Sequence, residues 1–176
     1  ADSLRKSSIE TDWHLFRTGA AFELGGLRIH PFSVPHDAAD PVGFVVSSPK
    51  SSLGILTDLG YATRQIIHAV QGVTALVIET NHDETLLQND TKRPWSVKQR
   101  ILSRHGHLSN QAAAKLVAEI ATENLRHILL AHLSEDCNTA ELARDTIRQN
   151  LPHTLPSPEI HTPGHGTALL PHRVTL

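Results

Sequence analysis

Ile55-Leu56-Thr57-Asp58-Leu59-Gly60 is the stretch on which the reading of this chain turns. A short apolar run, Leu53 with Ile55 and Leu56, stops at Thr57-Asp58 and turns at Gly60. That pattern predicts a buried strand delivering a carboxylate to its C-terminal edge. Three other runs end alike. Phe32-Ser33-Val34-Pro35 reaches His36-Asp37, Ala75-Leu76-Val77-Ile78 reaches Glu79, and Ile128-Leu129-Leu130-Ala131 reaches His132. Strand ends that all carry metal-capable or proton-capable side chains point to one shared site, because ligands of α/β sheets gather at the carboxyl ends of strands.

Working outward, Ala21 to Leu24, Gly25-Gly26 and Leu27 to His30 predict a two-residue hairpin, with His30 on the exposed face opposite Leu27 and Ile29. A strand over Trp13–Arg17 is also expected, as are strands over Val42–Ser47 and Leu53–Thr57. Val73–Thr80 reads as a strand buried on both faces. Helical spacing follows at Ile66, Ile67 and Val70, and residues 84–89 and 94–104 are further helices. Ser109 is placed to cap a helix whose stripe is Ala113, Leu116, Val117 and Ile120. Asn138 or Thr139 caps another, carrying Leu142, Ala143 and Ile147. Late strands are expected near Glu159–Thr162 and Ala168–Leu170. The order is antiparallel strands first, then helix and strand in alternation. It predicts an α/β (α+β) fold, a mixed β-sheet with flanking helices.

The chain of 176 residues is read as a single domain, 1–176, with a His/Pro-rich tail over 153–176. Residues 1–12 read as a helix remnant or linker. A formal net charge of −2 excludes a general basic field for nucleic acid. It leaves open a local groove of Lys92, Arg93, Lys98, Arg100 and Arg104, whose simpler reading is a solvated helix face. Cys137 is the one cysteine, which suits a reducing cytoplasmic setting. No apolar run nears the ~20 residues of a membrane span. Histidine is in surplus, at 13 residues, which raises the expectation of a metal site.

Asp58 can touch two cations through its two oxygens. His36 and His132 can each offer an imidazole nitrogen to zinc, with Asp37 or Asp40 available to orient His36. Glu79, at the end of a buried strand, needs a partner to stay ionised. With His107 it could make a carboxylate–imidazole pair that protonates a leaving group, and His82 is a second candidate for that role. For each of these residues the simpler reading is structural: a turn aspartate, a hydrogen-bonded histidine, a buried glutamate at a helix end. Convergence is what separates the two. No Gly-x-Ser-x-Gly elbow is present to suggest a serine hydrolase.

In their order, Pro35-His36-Asp37-Ala38-Ala39-Asp40-Pro41-Val42-Gly43-Phe44, Thr57-Asp58-Leu59-Gly60, Glu79-Thr80-Asn81-His82-Asp83, Gly106-His107-Leu108-Ser109-Asn110 and Leu130-Ala131-His132-Leu133-Ser134 resemble the metallo-β-lactamase fold, most of all its YycJ/WalJ-like branch, related to ribonuclease Z-type nucleases. The resemblance implies a metal-dependent hydrolase, a phosphodiesterase or nuclease with two zinc ions, manganese and iron being alternatives. It implies that His36 binds the first metal, Asp58 bridges both, His132 binds the second, and Glu79 with His107 supplies the proton. The family's leading His-x-His-x-Asp-His motif is absent. The chain therefore reads as the second half of an αββα sandwich, and as only part of a site. With Asp58 shared, each metal keeps two protein ligands, fewer than catalytic zinc requires. Weak zinc binding, little hydrolysis by the chain alone, and a partner follow, either the missing N-terminal half or a second copy. The competing expectation is a non-catalytic fragment or binding module that retains this half of the fold.

Overall fold

The structure, a computed structural model, describes residues 13–162. Its strands are β1 (Phe22–Leu24), β2 (Leu27–Ser33), β3 (Val42–Ser47), β4 (Ser52–Leu56), β5 (Ala75–Glu79), β6 (His127–Ala131) and β7 (Glu159–His161). Its helices are α1 (Arg64–Val70), α2 (Glu84–Asn89), α3 (Trp95–Ile101), α4 (Asn110–Ile120) and α5 (Ala140–Asn150). All seven strands join one sheet in chain order, β1-β2-β3-β4-β5-β6-β7. The pairs from β1 to β4 are antiparallel and those from β4 to β7 are parallel, so the predicted mixed sheet is the observed one.

Local chemistry accounts for the punctuation. Gly25 and Gly26 turn β1 into β2 at φ 59° and 79°, where side chains are strained. Thr63, Asp83, Ser109 and Thr139 each accept a hydrogen bond from the backbone N–H three residues on, capping α1, α2, α4 and α5. Such a cap is worth about 1 kcal/mol.

Period two sorts the central strands. Leu56, Leu76, Ile78, Ile128 and Leu130 are buried against Ile66 and Val70 of α1, Ala113, Leu116, Val117 and Ile120 of α4, and Ala143 and Ile147 of α5. Gly54 lies on this side, where a Cβ would meet Leu76 Cδ1 at 3.0 Å and Val70 Cγ1 at 3.3 Å. The alternate residues form a row across the other face: Pro31, Phe44, Ile55, Val77 and Leu129 stand opposite one another from strand to strand. All but Pro31 are only partly buried, and none belongs to the core cluster. Among the described residues no helix covers that row.

Several expectations are corrected. Trp13–Arg17 forms no strand. Val77 is partly exposed, so β5 is not buried on both faces. The faces of β2 are reversed: Leu27 is exposed and Ile29 stays outside the core cluster, whereas His30 is half-buried beside Phe32, because Phe32 and not Ile29 points at the core. Leu142 is 40% exposed, and α5 buries Ala143 and Ile147 alone. The proposed strand at Ala168–Leu170, the linker over 1–12 and most of the 153–176 tail lie outside the described residues.

Candidate metal centre

Each residue of the site is carried to one edge of the sheet by the end of a strand or by the loop pressed against it. Asp58 follows β4, Glu79 ends β5, His132 follows β6, and His36 follows β2. His107 arrives from the loop after α3. Two glycines let that loop close. A Cβ at Gly106 would lie 2.1 Å from the Ile101 carbonyl oxygen, and one at Gly60 would lie 2.4 Å from the Arg104 carbonyl. Only hydrogen fits at either position, so backbone meets backbone and His107 is set over Asp58.

Glu79 is the hub. It is fully buried, and its Oε1 accepts from Nδ1 of both His107 and His132, each at 2.7 Å. Its Oε2 accepts from the Leu59 N–H at 3.1 Å. Burial alone would push this carboxyl up, but the His107, His132 and Leu59 hydrogen bonds together hold it below the ordinary glutamate range. An ionised carboxylate only accepts, so both imidazoles carry their proton on Nδ1. Each Nε2 then carries the lone pair of the neutral imidazole. The Glu79 hydrogen bond in turn raises His132, against the opposing effect of burial.

His36 is fixed differently. Its Nδ1 lies 3.0 Å from the Gly106 carbonyl oxygen, which can only accept, so Nδ1 carries the proton and Nε2 faces the carboxylates. Of the two expected orienting carboxylates, Asp37 stands beside it, with Oδ1 3.4 Å from His36 Nε2 while Arg100 holds both of its oxygens, and Asp40 instead accepts from Thr18. Asp58 Oδ1 stands 3.9 Å from His36 Nε2, 3.8 Å from His107 Nδ1 and 3.5 Å from His132 Nδ1. The His36, His107 and His132 rings follow one another with centroids 5.1 Å apart.

Asp58 and His132 are the two non-glycine residues with positive φ among those described, at 55° and 57°. Held left-handed conformations gather at functional sites. Asn81 supports one of them by donating from Nδ2 to the His132 carbonyl at 3.0 Å. The donor atoms of Asp58, Glu79, His107 and His132 all lie within 4.8 Å of one another. Imidazole with carboxylate is a donor set that suits zinc, manganese or iron, so the residues present fit a divalent cation.

The structure thus brings His36, Asp58, Glu79, His107 and His132 together. His82 is not part of the cluster. It is 1% exposed, its Nδ1 lies 3.3 Å from Asn81 Oδ1, and burial lowers its pKa. The basic groove is largely neutralised. Lys92 and Arg93 pair with Asp136, Arg93 also with Asp90, and Arg100 with Asp37, while Lys98 donates to the Gln88 carbonyl. Sequence reasoning missed the Gly106 carbonyl, the Leu59 N–H and Asn81. The first two are backbone groups with no residue signature. A glycine beside the loop histidine was the only available sign.

A mixed sheet with helices on one face, collecting histidines and carboxylates at its strand ends, is an architecture suited to holding a metal ion. The beta-lactamase superfamily domain matches residues 2–132, and the chain belongs to that family. It is YycJ/WalJ-like. It is 39% identical over 137 residues to the exodeoxyribonuclease YycJ of Bacillus anthracis, covering 78% of this chain and 52% of that protein. It is 35% identical over 138 residues to the exodeoxyribonuclease WalJ of Streptococcus pneumoniae, covering 78% and 51%. The chain therefore spans about half the length of these relatives. In fold it is similar to the metallo-beta-lactamase fold protein YhfI of Bacillus subtilis, with a TM-score of 0.59 and 14% identity over 84% of this chain and 51% of that one. The Zn2+-bound PqqB of Methylobacterium extorquens matches with a TM-score of 0.56 and 17% identity, over 84% and 52%. No described helix is long and apolar enough to cross a membrane.

Proposed function

We propose that this chain carries one half of a two-metal phosphodiesterase site acting on nucleic acid, with DNA favoured by the names of its relatives. The observation that carries the reading is the meeting of His107 and His132 on Glu79, with Asp58 Oδ1 within 3.9 Å of three imidazoles. His36, Asp58 and His132 would hold the cations, zinc first, with manganese or iron as alternatives. A divalent cation supplies Lewis acidity to a phosphoryl oxygen and lowers the pKa of water. The chain's own residues do the rest. Glu79 fixes the tautomer and tilt of His132, as carboxylates do behind metal-binding imidazoles. The same carboxylate steadies His107 as it charges, so that Nε2 can hand its proton to the departing oxygen.

The donor count argues for a partial site. With Asp58 shared, His36 and His132 leave each cation below the three protein ligands of a catalytic zinc. The uncovered row from Phe44 to Leu129 supports the same conclusion, since an apolar face of this kind is an association surface. The remaining half of a family fold, or a second copy, would cover it and complete the ligands. A non-catalytic fragment is the second reading, favoured by the same short ligand set. The test is degradation of end-labelled linear DNA with zinc or manganese supplied, beside calorimetric zinc titration. Weak zinc binding with DNA cleavage abolished by Asp58→Asn supports the proposal. Tight binding of two ions by the chain alone overturns the partial site, and cleavage that survives Asp58→Asn overturns the metal assignment. No cleavage even with an upstream family segment added supports the fragment.

A further inference from the structure

We propose that His127, Glu159 and His161 form a second, separate divalent-cation site at the opposite end of the sheet, clamping edge strand β7 to β6. Parallel pairing sets His127 opposite Glu159 and Leu129 opposite His161. Residues opposite one another share a face, as do residues two apart, so all three side chains stand on the same side of the sheet. That side is the one no described helix covers. His127 opens β6, whereas His132 follows its end, about 16 Å away along an extended chain.

The spacing fits a metal better than it fits hydrogen bonding. Glu159 Oε2 lies 3.6 Å from His127 Nδ1 and 3.5 Å from His161 Nε2. Both are too long for an N–H···O bond. A tetrahedral zinc with ligand bonds of about 2.1 Å separates neighbouring donors by roughly 3.3–3.4 Å. At Glu79, where histidines do hydrogen-bond a carboxylate, the same atom types close to 2.7 Å. All three donors at the β6–β7 edge fall within 4.8 Å of one another.

A second observation is independent of spacing. His127 Nδ1 is shut off from solvent and makes no hydrogen bond. A buried imidazole nitrogen left without such a bond is costly, and a cation would satisfy it. Side-chain exposure rises from 19% at His127 through 35% at His161 to 72% at Glu159, which leaves a fourth position open to water. Two imidazoles and a carboxylate with water is a zinc-class donor set. Strand β7 has only three residues, so such a clamp would give it an anchor that its ladder lacks.

The experiment titrates Zn2+ by calorimetry and Co2+ by visible absorption into the full chain and its variants. In an Asp58→Asn/His132→Gln background, one equivalent should still bind, with the absorption of tetrahedral cobalt and a rise in melting temperature. Adding His127→Gln/His161→Gln should remove that equivalent and the rise. Glu159→Gln, at an exposed position, should weaken it at least tenfold while leaving the metal-free melting temperature unchanged. A His165→Gln/His172→Gln variant should bind as before. Binding that survives the His127/His161 change, an unaltered affinity in Glu159→Gln, or loss confined to the His165/His172 variant would overturn the proposal.

Discussion

Replacing Glu79 with glutamine keeps the outline of the hub and removes its charge. The carboxylate accepts three hydrogen bonds, from His107 and His132 on Oε1 and from Leu59 on Oε2. An amide has one oxygen. If that oxygen faces the imidazoles, the Leu59 N–H meets an NH2 group, at a cost of about 1–3 kcal/mol. The two imidazole bonds also lose charge assistance, about 1 kcal/mol each. Relief of the buried carboxylate's desolvation offsets part of this, for a net loss of about 2 kcal/mol at pH 7. In a chain of 176 residues that lowers Tm by roughly 4–8 °C. The pH dependence has a defined sign. Glu79 is depressed in the folded protein, so its contribution is present above the unfolded value of 4.5 and is lost as pH falls through the folded one. The deficit of the variant should therefore narrow below about pH 4.5. Urea unfolding of chelator-treated protein from pH 7 to pH 3.5 reads both effects. A variant within 0.5 kcal/mol of the parent at pH 7, on the order of an ordinary surface change, refutes the hub. So does a deficit that stays constant with pH.

His132 is raised by Glu79, so it stabilises the fold below the unfolded value of 6.5, and that contribution is lost as pH rises through the folded one. An NMR titration should place its midpoint above 6.5 in metal-free protein and bring it down in Glu79→Gln; a midpoint at or below 6.5 in the parent contradicts the pairing. Gly106→Ala drives a methyl group into the Ile101 carbonyl and should cost about 2 kcal/mol or more in denaturant midpoint, with weaker zinc binding as His36 loses its carbonyl partner. Asp58→Gly should relieve the left-handed backbone, stabilising the metal-free chain by about 0.5–1 kcal/mol, while calorimetry shows zinc affinity falling. Arg100→Ala removes a solvent-exposed partner of Asp37 and should leave the denaturant midpoint at the parent value, because a screened surface pair contributes little and the Gly106 carbonyl still holds His36 Nδ1.

Much of the fold was legible because strands here end abruptly at polar residues. Phe32 to His36, Leu53 to Asp58, Ala75 to Glu79 and Ile128 to His132 each announce their own termination. Helix starts were legible through Ser109 and Thr139, whose hydroxyls cap as expected. The faces of β2 were not, because Leu27 and Ile29 look like core residues in isolation. Which side of this strand is covered depends on α1 and Phe32, a tertiary fact. The gathering of the site residues could be anticipated from strand ends, but the grip on His36 could not. It comes from a backbone carbonyl that is placed only when Gly106 passes beneath Ile101. His82 shows what sequence spacing leaves open: three residues beyond Glu79, it is buried with Nδ1 beside Asn81 Oδ1 and outside the group of mutually close donors.

Because spatial order repeats chain order among the described strands, each strand after β1 that emerges during synthesis finds its neighbour already made. No strand waits for a later one to be inserted beside it. The cation-gripping cluster would then mature stepwise, gaining His36, Asp58, Glu79 and His107 in turn. Nascent chains that stop short of β6 should be ordered through β5 yet lack the last imidazole, His132.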